Sequence, residues 1–167
     1  MIKIDYKINM DVINNISKSD INEISDIEGQ FKISFGDNII GYVDDEIPIY
    51  DELLVHWFSL LNKALELMNQ ESFVALTLPD RYNRWLLFEN NENKLKVIYI
   101  ERDDEGDTEL IKTDKIPIKQ ELWHYEMNLQ ELTYEIARAT KDCIRSILTV
   151  DDILRKAKPI SMLMKYI

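Results

Sequence analysis

The segment 100–111, IERDDEGDTELI, carries the densest set of oxygen ligands in the chain, with six carboxylates around Gly106. Hard cations such as Ca²⁺ bind carboxylate oxygens, so a calcium loop is the first chemistry to consider. With Gly106 in the glycine position of an EF-hand, the loop would end at Lys112, where a bidentate glutamate is required. The register therefore excludes an EF-hand and predicts a hairpin tip in which Gly106 takes a positive φ. A nonspecific divalent ion at this tip stays an alternative.

The few other residues that could do chemistry are two histidines and one cysteine. His56 falls on the polar stripe of a predicted helix, and His124 lies among aromatic residues, where a structural histidine or a pH-sensitive group would fit. Neither has a second histidine or a cysteine at zinc spacing. Cys143 lies on an apolar helical stripe, where a cysteine behaves as a small hydrophobe. We predict no catalytic residue, no metal and no cofactor.

The formal net charge of −11 is concentrated in two segments. Residues 44–52, DDEIPIYDE, hold five acids and no base, and residues 101–109 hold six acids and one arginine. A concentrated negative field attracts basic proteins, and it repels nucleic acid and anionic membranes. The plain alternative is that acidic loops only keep the protein soluble.

Composition predicts one globular domain over residues 1–167. Hydrophobic residues make up 46% and charged residues 31% of the 167 residues, with only four glycines and four prolines. The N-terminal residues lack the apolar core of a signal peptide, and no apolar run is long enough to cross a bilayer. A single cysteine suits a reducing compartment. We expect a cytoplasmic protein without membrane contact.

Hydrophobic periodicity predicts an α+β fold. Strict alternation over residues 2–10 and again over 31–35 indicates half-buried strands, and the GDN turn at 36–38 predicts a hairpin. A long central helix is expected over about 50–69, with Glu52 and His56 on its exposed stripe. Further strands are predicted at 72–78, 84–89, 94–101 and within 108–126.

Short connections between these strands favour an antiparallel meander of about six or seven strands. C-terminal helices are predicted at about 128–147 and 150–157. Asn128 begins the first of them, and Pro159 ends the second.

Arg, Tyr and Trp in DRYNRW, residues 80–85, are residue types that anchor binding interfaces. Together with the acidic segments they favour a non-catalytic acidic protein that binds a basic protein partner. Its most concrete form is a small bacterial immunity or antitoxin-type inhibitor. The predicted contact residues are Asp44, Asp45, Glu46, Asp103, Asp104, Glu105, Asp107, Tyr82 and Trp123.

Two other functions stay open from the sequence. One is a divalent-cation-dependent hydrolase that uses the carboxylates of 101–109, and the other is a structural subunit of a homo-oligomer. The sequence does not fix the oligomeric state.

Overall fold

A computed structural model describes residues 1–16, 21–79, 81, 83–92, 94–103 and 108–167. Within these ranges the chain forms nine strands and four α-helices, which confirms the α+β class. Seven of the strands have four or more residues, and two have only two. The strands form two antiparallel sheets, one of four strands and one of five, rather than a single meander.

The first sheet is built on a long central strand. It consists of β1 (Ile2–Ile8), β2 (Glu28–Phe35), β3 (Asn38–Gly41) and β4 (Glu52–Leu53). Strand β2 pairs with β1 on one side and with β3 and β4 on the other. The β2–β3 hairpin is the predicted one, and Gly36 in its turn has φ +61°.

The register of the first sheet separates a buried face from an outward face. Ile4 lies opposite Ile33, and Ile33 lies opposite Ile40, so these apolar side chains share the buried face. Even-numbered residues of β2 point outward, because successive side chains of a strand alternate. The alternation that predicted half-buried strands therefore holds for β1 and β2.

The second sheet has the strand order β8-β5-β6-β7-β9. Its strands are β5 (Phe73–Thr77), β6 (Arg84–Asn91), β7 (Lys94–Glu101), β8 (Ile111–Lys112) and β9 (Gln120–Asn128). One face contributes Leu76, Leu86 and Val97 to the main core. The opposite face carries a smaller cluster with Trp85 and Ile98, against which Ile116 packs. This sheet is thus covered by apolar contacts on both faces.

The helices pack against both sheets to close the main core. They are α1 (Met10–Asn14), α2 (Leu54–Met68), α3 (Leu129–Val150) and α4 (Lys158–Leu163). Helix α2 contacts β2, β5, α3 and α4, and α3 contacts β1 and β9. The main cluster of buried residues draws on both sheets and on α2, α3 and α4. None of the helices in the described ranges is long and apolar enough to cross a membrane.

The central helix begins later than the expected residue 50. Glu52 and Leu53 pair with β2 as strand β4, so α2 begins at Leu54. Its first turn is capped from far away in sequence: the Asp26 carboxylate accepts hydrogen bonds from the backbone N–H groups of Val55 at 2.8 Å and His56 at 2.9 Å. Asp26 therefore lies at the positive end of the helix dipole, where a carboxylate is stabilising.

Helix α3 begins where the sequence predicts it. The Asn128 side chain accepts a hydrogen bond from the Gln130 N–H at 2.7 Å, which satisfies one free donor of the first turn. About two turns further along α3, Glu135 and Arg138 contact the edge strand β1. The Glu135 carboxylate accepts the Ile4 N–H at 2.7 Å, and the Arg138 guanidinium donates to the Ile4 carbonyl at 3.0 Å. Two side chains of α3 thus bind both backbone groups of one strand residue.

The second predicted C-terminal helix, at about 150–157, is a 3₁₀ helix over residues 152–156, and only the role expected of Pro159 is wrong. The Asp151 side chain caps this 3₁₀ helix by accepting the Ile153 N–H at 2.9 Å. Pro159 lies in the first turn of α4 and does not end a helix. Proline is tolerated there because a first-turn N–H has no partner within the helix.

Candidate functional site

The predicted contact residues fall in two acidic segments, only part of which the structure describes. Asp44, Asp45, Glu46 and Asp103 are described, and so is Trp123. Four predicted residues lie outside the described ranges, and so does the glycine expected at the hairpin tip: Tyr82, Asp104, Glu105, Asp107 and Gly106. The site is therefore built from the first acidic segment and from the described ends of the second.

The loop between β3 and β4 is held by one buried side chain, Gln30 of β2, whose exposed fraction is 0%. Its amide nitrogen donates to the backbone carbonyls of Ile47 at 2.7 Å and Ile49 at 3.0 Å. Its amide oxygen accepts the Asp44 N–H at 2.8 Å. Three hydrogen bonds from one rigidly buried group fix residues 44–49 on the outward face of the first sheet. We call these residues the pinned loop.

The pinned loop presents acidic and apolar side chains to solvent. The Asp45 side chain is 95% exposed, although its carboxylate lies 3.2 Å from the Lys7 ammonium. Ile47 is 39% and Ile49 is 55% exposed. The Asp44 carboxylate accepts the Glu46 N–H at 2.8 Å, which shapes the acidic tip as a local turn. The backbone of the loop is ordered by the core while these side chains stay accessible.

Glu52, at the end of the first acidic segment, is buried and not exposed as expected. Its carboxylate accepts the Trp57 indole N–H at 2.6 Å and an Arg81 N–H at 3.2 Å. The Trp57 ring stacks on Phe31 with centroids 4.4 Å apart. Strand pairing with β2 causes this burial, because it directs Glu52 to the same face as Gly29. Glu52 therefore serves the core and is not part of a contact surface.

The described carboxylates of the second acidic segment lie among basic residues from elsewhere in the chain. The Glu101 carboxylate is 2.9 Å from the Arg84 guanidinium and 3.4 Å from the Lys119 ammonium. Asp103 lies 3.1 Å from the same ammonium. Hydrogen bonding to Asp103, and then to Glu101, raises the pKa of Lys119. The local charge of this segment is thus less negative than the sequence count of residues 101–109 suggests.

The two acidic segments meet at the connection between β5 and β6. Arg81 binds Glu52, and Arg84 binds Glu101. The Arg84 N–H also donates to the Arg81 carbonyl at 3.1 Å, which places the two arginines in one turn. The sequence predicted an interface anchor in this DRYNRW stretch. Its tyrosine, Tyr82, lies outside the described residues, and its two arginines bind the protein's own acids.

Trp123 packs on the core and is not a free-standing aromatic anchor. It is half-buried in β9, with its ring 5.7 Å from Phe35 and 5.3 Å from Tyr99, measured between centroids. Phe35 lies at the opposite end of β2 from Gln30. Trp123 and the pinned loop are therefore not brought together.

The histidines and the cysteine form no reactive cluster with their described neighbours. Cys143 is fully buried, and burial raises the pKa of its thiol, so the reactive thiolate is disfavoured. His124 is half-exposed and lies 2.6 Å from the Glu121 carboxylate. Within the described ranges, no group of three or more His, Cys, Asp or Glu side chains is placed to hold a metal ion.

Comparisons with known proteins give no family. No protein-family profile matches the chain, and no curated protein or solved structure matches it either. Functional conclusions therefore depend on the residues themselves.

Sequence reasoning missed Gln30 and the exposed isoleucines of the pinned loop. Gln30 has the outward parity of β2, which marks it as a surface residue unless another segment covers it. The IPI sequence at 47–49 could have indicated a contact role for this loop. Isoleucines beside a run of acids add nothing to solubility.

Proposed function

We propose that this chain is a non-catalytic acidic protein that binds a basic protein partner, most concretely as a small immunity or antitoxin-type inhibitor. The pinned loop carries the proposal. Gln30 fixes its backbone, while the side chains of Asp45, Ile47 and Ile49 are exposed to solvent. A loop that is already ordered loses less conformational entropy on binding, so more of its contact energy appears as affinity.

The arrangement of charge supports the first acidic segment as the contact region over the second. The Glu101 carboxylate is only 27% exposed and contacts both Arg84 and Lys119, whereas Asp45 is 95% exposed and has one described cationic partner, Lys7 at 3.2 Å. Exposed acids steer a basic partner into encounter. The isoleucines next to them supply the apolar contact that holds a complex together.

The experiment combines isolation of a partner with measurement of its association rate. A tagged form of the chain is used to purify a partner from the native host, and the retained protein is identified. Association is then measured for wild type and for D45N/E46Q over increasing salt. We expect the variant to associate more slowly at low salt and the two rates to converge as salt screens the charges.

The matched control is D151N/D152N, which removes two acids at the start of the 3₁₀ helix 152–156, away from the pinned loop in sequence. It should keep the wild-type rate at every salt concentration. If D45N/E46Q associated as fast as wild type at low salt, the proposed role of the acidic loop would be refuted.

A further inference from the structure

The outward face of the first sheet carries more apolar surface than the pinned loop alone. Leu53 of β4 lies opposite Glu28, and Ile39 of β3 lies opposite Ser34. Opposed residues of an antiparallel pair share a face, and even-numbered residues of β2 share that face with one another. Leu53, Gln30 with its pinned loop, and Ile39 therefore follow one another along the same side of β2.

The apolar side chains in this row are accessible. Ile39 is 57%, Ile49 55%, Ile47 39% and Leu53 38% exposed. Between Glu28 and Ser34 a strand advances about 20 Å, at roughly 3.3 Å per residue. We call these four residues the apolar row. Single hydrophobic residues scattered on a surface need no explanation, but several exposed ones on the same face of a sheet are typical of an interaction site.

Most of the charges that border the apolar row are acidic. Glu28, Asp37, Glu46 and Asp51 are exposed near its members in sequence or across a strand. Three lysines lie on the same face: Asp5 binds both Lys3 at 2.7 Å and Lys32 at 2.9 Å, and Asp45 lies 3.2 Å from Lys7, which is opposite Gln30.

Partial burial works against ionisation of Asp5. Hydrogen bonds and attraction from the two lysines outweigh it, and the pKa of Asp5 is lowered. These two lysines and Asp5 together carry one positive charge, which offsets only part of the negative charge of the four exposed acids around the apolar row.

We propose that the apolar row is the docking surface for a basic amphipathic helix of the partner. This inference rests on the proposed binding function and adds the form of the bound segment. A helix of about 14 residues matches the length of the row at roughly 1.5 Å per residue. Its apolar stripe would cover Ile39, Ile49 and Leu53, and lysines or arginines beside the stripe would meet the acids. Helices are a common cover for the open face of an antiparallel sheet.

The probe is a labelled synthetic 14-residue peptide of leucine and lysine with helical amphipathic spacing. Two control peptides are the same composition in scrambled order and the same spacing with glutamate in place of lysine. Binding is followed by fluorescence anisotropy. We expect the amphipathic basic peptide to bind more tightly than both controls, because only it matches the apolar row in pattern and the acids in charge.

Variants of the chain test the location. I39S/I49S removes two members of the apolar row and should weaken peptide binding by about tenfold or more. I118S is the matched control, since Ile118 is 50% exposed and lies outside the row. It should leave affinity within about twofold. Thermal unfolding checks that both variants fold, and amide chemical shifts of the wild-type chain give a second readout, with changes expected within residues 37–53.

The outcomes separate this inference from the proposed function. If D45N/E46Q weakens binding while I39S/I49S does not, the acidic function stands and the apolar row is refuted. If the lysine and glutamate peptides bind equally, charge complementarity fails and both proposals fall. Sedimentation of the chain alone tests whether a second copy of the chain covers the apolar row. A dimer that dissociates in I39S/I49S would overturn the helix proposal.

Discussion

The two acidic segments have the same formal charge in the sequence and very different surroundings in the fold. The first, residues 44–52, is anchored at Gln30 and ends in the buried Glu52. The second, residues 101–109, leaves β7 with Glu101 and Asp103 bound to Lys119. The number of charged residues in a segment therefore predicts neither the electrostatic field around it nor its role in the structure. The difference depends on which distant residues the fold brings to each carboxylate.

The largest expected effect comes from Glu52. In E52A the Trp57 indole N–H loses its carboxylate partner in a buried contact, and the partly exposed Arg81 guanidinium loses the same carboxylate. We expect the free energy of unfolding to fall by about 3 kcal/mol, measured by urea denaturation.

The matched control for Glu52 is E101A in the second segment, where both cationic partners are partly exposed. That change should cost less than about 1 kcal/mol. If E52A and E101A lowered the free energy of unfolding equally, burial of the carboxylate would not be what distinguishes the two segments.

Gln30 gives the next largest effect. Q30M keeps the volume of the side chain and removes its three hydrogen bonds to the pinned loop. We expect a loss of about 2 kcal/mol in stability and faster amide exchange within residues 44–49.

The exchange measurement has an internal control in the β2–β3 turn, residues 36–37, which Gln30 does not contact. Exchange there should stay near its wild-type rate. Unchanged exchange at Asp44 in Q30M would contradict the anchoring role of the glutamine.

A smaller effect is expected at Lys119. K119M removes the ammonium that binds Glu101 and Asp103, and both sides of this contact are accessible to solvent. The loss of stability should be small and should vanish in roughly 1 M salt, where the screening length is about 3 Å.

K141M, at an exposed position of α3, is the matched control for removal of one positive charge. It should change stability less than K119M at low salt. A difference between the two variants that persists in high salt would indicate a contribution other than charge pairing.

The smallest expected effect is that of divalent ions. Since Glu101 and Asp103 are bound to basic side chains, excess Ca²⁺, Mg²⁺ or Mn²⁺ should shift the unfolding midpoint by less than about 1 °C. Differential scanning fluorimetry with and without chelator measures this. An increase of several degrees would support the hydrolase alternative and an ion-binding role for the second segment.

Elements governed by local patterns were predictable from the sequence. The alternation of β1, the GDN turn before β3 and the asparagine cap of α3 all depend on residues within a few positions of one another. The described residues form nine strands where about six or seven were predicted. The division of the strands between two sheets was not predicted, because pairing between distant segments leaves no local signal.

The candidate site was predicted only in part, for the same reason. Asp45 was correctly expected to be exposed, but Glu52 was placed on a helix that begins two residues later. The cap at Asp26 and the anchor at Gln30 come from 14 or more positions away in sequence. Such contacts depend on the tertiary fold, whereas hydrophobic periodicity predicts only local secondary structure.

The contact of Glu135 and Arg138 with Ile4 has a consequence for the order in which the chain folds during synthesis. Strand β1 emerges from the ribosome long before α3, because the side chains that close its outer edge lie more than 130 residues later. Until α3 docks, the edge of an apolar strand can pair with another nascent chain. Contacts of such long sequence separation form slowly. Chains truncated before residue 135 should therefore aggregate at β1.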